Sequence, residues 1–303
     1  ELLELRGRDA VFGLGRFRVG EAVFHRGRDD RESRTVQRAR DSRQLRHDVT
    51  ARLLLLDGGD HRFQLAARTT QAMEDAALRV GRASGGAFDI GVGALVNAWG
   101  FGATNPQPDA QQIRALGQRQ HLAASELLDI DLANQRVRKQ AALALDLSGI
   151  AKGYGVDALA HCLDGFGITR YLVGIDGEMR AKGSKPGGQA WAVAIEKPVR
   201  HRREVMGVME LTDAAIATSG DYRHWFEVAG QHYAHTIHPA SGRPLDNRLA
   251  SVTVVMPSCM LADAWATALL VLGAPAAFLL LQQRGMTALL VLRNLSDAGE
   301  AFE

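Results

Sequence analysis

SVTVVMPSCMLADAWATALLVLG, residues 251–273, decides the fold class of this chain. Its first six residues are a short apolar, β-branched segment that reads as a strand from Ser251 to Met256. Pro257-Ser258 stops that strand, and the run after it reads as a helix carrying Ala262 to Leu272. Uncharged sequence continues from Ala264 to Leu281, just long enough for a membrane-spanning helix to be considered. Gly273, Ala274 and Pro275 break it midway and Asp263 abuts it, so two buried helices of a globular core are expected instead of one span.

Working outward, apolar segments at Tyr171 to Ile175, Trp191 to Ile195, Val205 to Leu211 and Met286 to Leu292 also read as strands. Thr70 to Ala83 reads as an amphipathic helix running into the Gly85-Gly86 stop. A second helix starts near Ser148, taken as its N-cap, and runs toward Gly165. Residues 70–303 are therefore expected to form one α+β domain of packed sheets and flanking helices.

Residues 1–69 differ in character. Arg recurs at 6, 8, 16, 18, 26, 28, 31, 34, 38, 40, 43 and 46, while the first lysine is Lys139. Periodicity is weak, so this Arg-rich segment has no assigned fold; it reads as a solvated arm or as a basic patch for phosphates. The chain opens at Glu1 with neither an initiating Met nor an apolar signal core, so an export signal is expected to be absent or removed before this numbering.

With 303 residues and 46% hydrophobic content the chain can bury a core. Its 36 basic and 34 acidic residues leave a net charge of +2, which gives no general reason for a nucleic-acid partner. Cys162 and Cys259 lack disulfide-framework or zinc spacing and are expected to be small buried core residues.

Four stretches carry polar groups suited to chemistry. Gly85 to Gly93, followed by Asn97 to Gly102, packs glycines around Asp89 and three aromatics; it reads equally as a ligand loop or as a connection anchored by Phe88, Trp99 and Phe101. Asp146 and Lys152 flank a predicted helix start, where free N–H groups attract anions, although an Asp–Lys surface pair explains them as well. Asp263 and Thr267, four apart on a helix, project oxygens from one face and supply part of a hard-cation site; back-bonding of Thr267 to the Asp263 carbonyl is the structural alternative. His235 and His238 precede a turn, and either suits a general base or a structural hydrogen bond.

In their order these blocks resemble one family, the ApbE-type FAD:protein FMN transferases. The resemblance covers Thr70 to Leu292 and rests on GGAFDIGVGALVNAWGFG, DLSGIAKGYGVDALA, GEMRAKGSKPGG, ATSGDYRHWFEVAGQHYAHTIHPASGRP and SVTVVMPSCMLADAWATALLVLG. It implies a T-fold-like domain, FAD as substrate, Mg2+ as cofactor and a flavin-carrying redox subunit as acceptor of FMN on a threonine. By the same resemblance Ala87, Phe88, Asp89, Asp146, Lys152 and Ile237 would contact FAD. Gly149 and Ala266 through carbonyls, with Asp263 and Thr267 through side chains, would hold the metal, and His235 would be the base. The resemblance also implies residence on the periplasmic side of the inner membrane. His238 departs from the family's Asp before Pro239, Gly174 to Gly177 departs from its Asn-x-Gly-Gly, and its early Met-Gly-Thr block is not recognisable in residues 1–68. Two other activities fit the same residues: a Mg2+-dependent FAD pyrophosphatase and a non-catalytic flavin-binding module.

Overall fold

In the computed structural model, residues 2–4, 23–25, 64–65, 68–102, 107–117, 121–228, 231–296 and 299–302 are described. Most of the Arg-rich segment, and with it the question of whether residues 1–69 fold, lies outside the described residues.

Six strands make the central sheet: β1 (Tyr171–Ile175), β2 (Glu178–Lys182), β3 (Ala215–Gly220), β4 (Leu249–Met256), β5 (Thr287–Ser296) and β6 (Gly299–Phe302). They lie side by side in sequence order, each antiparallel to the next. Both faces are covered, which is why β4 reads as a nearly continuous apolar run. Ala217, Val252 and Val254 pack toward helices, whereas Ile216 and Val255 pack toward a two-stranded ribbon, Trp191–Glu196 with Val205–Leu211.

Four longer helices complete the layers: α1 (Arg68–Ala83), α2 (Ser148–Gly165), α3 (Cys259–Leu272) and α4 (Ala274–Arg284). Ten of the 14 residues of α3 are buried, so it is apolar nearly all round and forms the centre of the core. Its start is fixed twice. Ser258 Oγ accepts from Leu261 N at 3.3 Å, and the Asp157 carboxylate of α2 accepts from Cys259 N and Met260 N at 3.1 and 3.0 Å. Glycine lets the two helices touch: a Cβ on Gly153 would stand 2.3 Å from the Cys259 carbonyl oxygen.

The expected break of the apolar run falls at Gly273, whose φ of 74° favours glycine. No helix among the described residues is long and apolar enough to cross a membrane. Three expectations need correction. Helix α4 is only partly buried, exposing Phe278 and Leu279, because just one of its sides meets the core. Cys259 is buried as expected, but Cys162 is exposed on the outer side of α2. Ser148 is the first helical residue and not the cap; the side chain that reaches the helix start is Asp146, whose Oδ1 accepts from Ser148 N at 2.8 Å.

Candidate active site

The start of α2 and the middle of α3 bring together most of the residues singled out in the sequence. Asp263 is 3% exposed, and its Oδ2 accepts from Gly153 N at 3.0 Å. In a regular helix that N–H closes onto the Gly149 carbonyl. An N–H given to Asp263 is one that Gly149 no longer holds alone, so a main-chain oxygen beside the carboxylate is partly released. One turn along α3, the Thr267 hydroxyl pairs with Ser219 Oγ of β3 at 2.9 Å instead of serving only its own helix. A Cβ on Gly149 would approach Thr267 Oγ1 and Phe88 Cε2 at 3.1 Å each, so the missing side chain is what keeps this corner open.

This donor set suits a hard divalent cation: one buried carboxylate, one hydroxyl and main-chain carbonyls, all oxygen. Burial pushes the Asp263 pKa up, opposed by the Lys152 ammonium and the Gly153 N–H, so the anionic form is under-compensated without a further positive charge. Among the described residues no cluster of three or more Asp, Glu, His or Cys forms, and a cation here would keep waters or take oxygens from a ligand. Ala266 sits between the two side-chain donors, fully buried, and has only its helical carbonyl to offer.

Lys152 does not pair with Asp146. Its Nζ donates to Glu178 Oε1 at 2.6 Å, across from α2 to β2. Burial opposes the ammonium charge, but Glu178, Asp263 and Asp176 outweigh burial and hold the Lys152 pKa above its ordinary value. The Gly-rich block folds against the same corner through Asp146 N, which donates to the Ile90 carbonyl at 2.8 Å. Asp89 organises that block: Oδ1 accepts from Gly91 N and Ala124 N at 2.8 and 3.0 Å, and Oδ2 lies 2.7 Å from His121 Nε2. Ala87 and Phe88 are buried, Phe88 with its ring against Gly149.

His235 directly follows a separate element, the hairpin Trp225–Val228 with Gln231–Ala234. Trp99 Nε1 donates to the Gly242 carbonyl at 2.7 Å, and the Phe101 ring meets His235 edge-on at 6.4 Å, so the Gly-rich block also backs this hairpin. His235 Nδ1 lies 3.1 Å from the His224 carbonyl oxygen. A carbonyl only accepts, so the proton sits on Nδ1 and Nε2 keeps its lone pair. Burial first, then His224 and Lys152, push the His235 pKa down to about 4, which leaves the ring neutral at ordinary pH. Ile237 is buried and pairs with Pro244 beyond the turn. His238 is 3.4 Å from Ser241 N and shapes that turn.

Sequence reading missed two carboxylates. Asp157 caps α3 and is itself held by Arg180 Nη1 at 2.6 Å. Glu178 is 1% exposed behind Lys152. The available signal was Asp176-Gly177, whose φ values of 55° and 105° are those of a tight two-residue hairpin turn between β1 and β2.

The site thus lies where two helices in glycine-tight contact meet beneath a sequential antiparallel sheet, with an oxygen-rich corner between them. The chain belongs to the ApbE family, whose sequence model matches residues 22–290. It is 43% identical over 225 residues to the FAD:protein FMN transferase of Vibrio cholerae, covering 74% of this chain and 64% of that one. Identity to the FAD:protein FMN transferase of Salmonella typhimurium is 36% over 241 residues, 77% of this chain and 67% of that one. The matches thus span about two thirds of the length of these relatives. The apo flavinyl transferase ApbE of Pseudomonas stutzeri superposes with a TM-score of 0.80 at 28% identity, covering 100% of this chain and 94% of the other.

Proposed function

We propose that this protein moves FMN from FAD to a threonine hydroxyl of an acceptor protein, with Mg2+ as the cofactor. The observation that carries the reading is the convergence of Asp263, Thr267, Gly149 and Lys152 at the contact of α2 with α3. The names of the relatives support the flavin and the protein acceptor. The all-oxygen donor set supports the cation, and the acceptor's threonine follows from the resemblance stated above.

In this reading Asp263, Thr267 and the Gly149 and Ala266 carbonyls hold Mg2+, which when bound offsets charge on the pyrophosphate. Lys152 supplies a fixed positive charge to the same phosphates. The open glycine surfaces at Gly149 and the Gly85 to Gly93 block let backbone approach the dinucleotide, with Asp146, Phe88 and Ile237 at its margins. His235 Nε2 takes the proton of the incoming threonine hydroxyl as its oxygen bonds to the FMN phosphorus. The P–O bond to AMP breaks, AMP leaves with that oxygen, and the proton passes from His235 to solvent. Acceptors in this reading are flavin-carrying subunits of redox complexes, such as sodium-pumping quinone reductases, reached on the periplasmic side of the inner membrane; fractionation of cells expressing the full-length protein tests that placement.

The activity is tested by mixing the protein with FAD, Mg2+ and an acceptor subunit, then weighing the acceptor by intact mass spectrometry. A gain of one FMN that EDTA or Asp263→Ala removes is expected. An unmodified acceptor with Mg2+-dependent release of FMN and AMP would assign a pyrophosphatase instead.

A further inference from the structure

We infer that Glu178 is the positioning residue of the site: it holds the Lys152 ammonium where a phosphate-bearing ligand meets it. This inference rests on the transferase reading above and adds a residue to it.

The geometry is directional. The Lys152 side chain keeps 28% of its exposure and Glu178 keeps 2%, so the ammonium is the open end of the pair and the carboxylate stands behind it. Glu178 takes one of the three ammonium donors, at 2.6 Å. No other hydrogen bond of the Lys152 ammonium occurs among the described residues, which leaves donors to give a ligand. Glu178 Oε2 is buried without a partner. A carboxylate retained there against its desolvation cost contributes little to folding by itself. Its use is to fix a long, rotamer-rich side chain before a ligand arrives, as outer-shell carboxylates orient first-contact groups elsewhere.

The backbone makes Glu178 a rigid anchor. It follows directly on the Asp176-Gly177 turn and stands opposite Ile175 in the β1–β2 register. The next strand over, β3, pairs with β2 at Met179 and Arg180 and carries Ser219, the partner of Thr267, further along. Lys152 and Thr267 are thus held by side chains of neighbouring strands of one sheet.

The test measures FAD and riboflavin affinity by flavin fluorescence titration on the intact protein, for wild type, Glu178→Gln, Lys152→Met and the double variant. Riboflavin lacks the phosphates and reports any general damage to the flavin site. Glu178→Gln is expected to weaken FAD binding about 10-fold, within the range of outer-shell substitutions, and to leave riboflavin affinity unchanged. In the double variant the losses should not add, because Glu178 acts through Lys152. Glu178→Asp, one methylene shorter, should recover part of the loss. Unchanged FAD affinity in Glu178→Gln, or additive losses in the double variant, would overturn the positioning role and leave the transferase reading standing. Failure of the wild-type protein to bind FAD at all would overturn both.

Discussion

The two helices that meet at Gly153 and the hairpin that carries His235 contribute to one site by opposite means. Helix α3 is buried along most of its length, capped from α2 by Asp157 and spaced by a glycine whose added Cβ would overlap the Cys259 carbonyl. The hairpin is a two-stranded ribbon whose histidine is held by one carbonyl and by ring contacts. Each kind of chemistry has its own degree of constraint. In the proposed reaction, the groups that would face a pyrophosphate with fixed charge sit where packing over-determines them. In the same proposal, the group that would meet the acceptor protein sits on an element with fewer constraints.

That contrast can be broken by substitution. Asp263→Ala, on the packed side, should abolish transfer while FAD-independent folding, read by circular dichroism, persists. On the hairpin side, His235→Gln should lower kcat about 100-fold or more, the size of a lost general base, with FAD affinity retained in the same titration. If His235→Gln instead lost FAD binding in step with kcat, the division of labour would fail. Gly153→Ala should cost about 3 kcal/mol in urea unfolding, since the overlap is with backbone and not with a flexible side chain. Asp157→Asn should cost about 2 kcal/mol, the scale of hydrogen bonds to a charged group. An unchanged midpoint in either variant would mean that the helix contact is softer than argued.

The smallest effect expected is that of pH. In the proposed reaction His235 would act as base in its neutral form, and its folded pKa of about 4 lies below the ordinary 6.5. Its contribution to rate should therefore stay level from pH 8 to about 5 and fall only as pH approaches 4. Stability has the same sign. The unfolded chain takes up this proton near 6.5 while the folded one resists until about 4, so stability is full above 6.5 and is lost between those values. A rate that halves near pH 6.5 would place the base elsewhere.

Local chemistry was legible where one element's own residues decided it. Helix α2 ends where the sequence indicates, and β1 and the strand Val205–Leu211 match their apolar runs residue for residue. Strand β2, Glu-Met-Arg-Ala-Lys, was not legible. Two of its charged residues turn inward to Lys152 and Asp157, partners 26 and 23 residues away, so its pattern reads as solvent-facing. Strand β3 was hidden by small polar residues whose hydroxyls pair with Thr253 and Thr267. The site showed the same division. Asp263 and Thr267 shared a helix face and could be paired from spacing alone. Glu178 could not, because its burial is a property of the sheet, and the tautomer of His235 depends on a main-chain carbonyl at His224.

The transfer reaction is tested by a paired count in one mixture of protein, FAD, Mg2+ and acceptor subunit: AMP released by chromatography, and FMN bound to acceptor by intact mass. One AMP per FMN-bearing acceptor, both abolished by Asp263→Ala, is the predicted result. AMP formed with free FMN and an unmodified acceptor would contradict it.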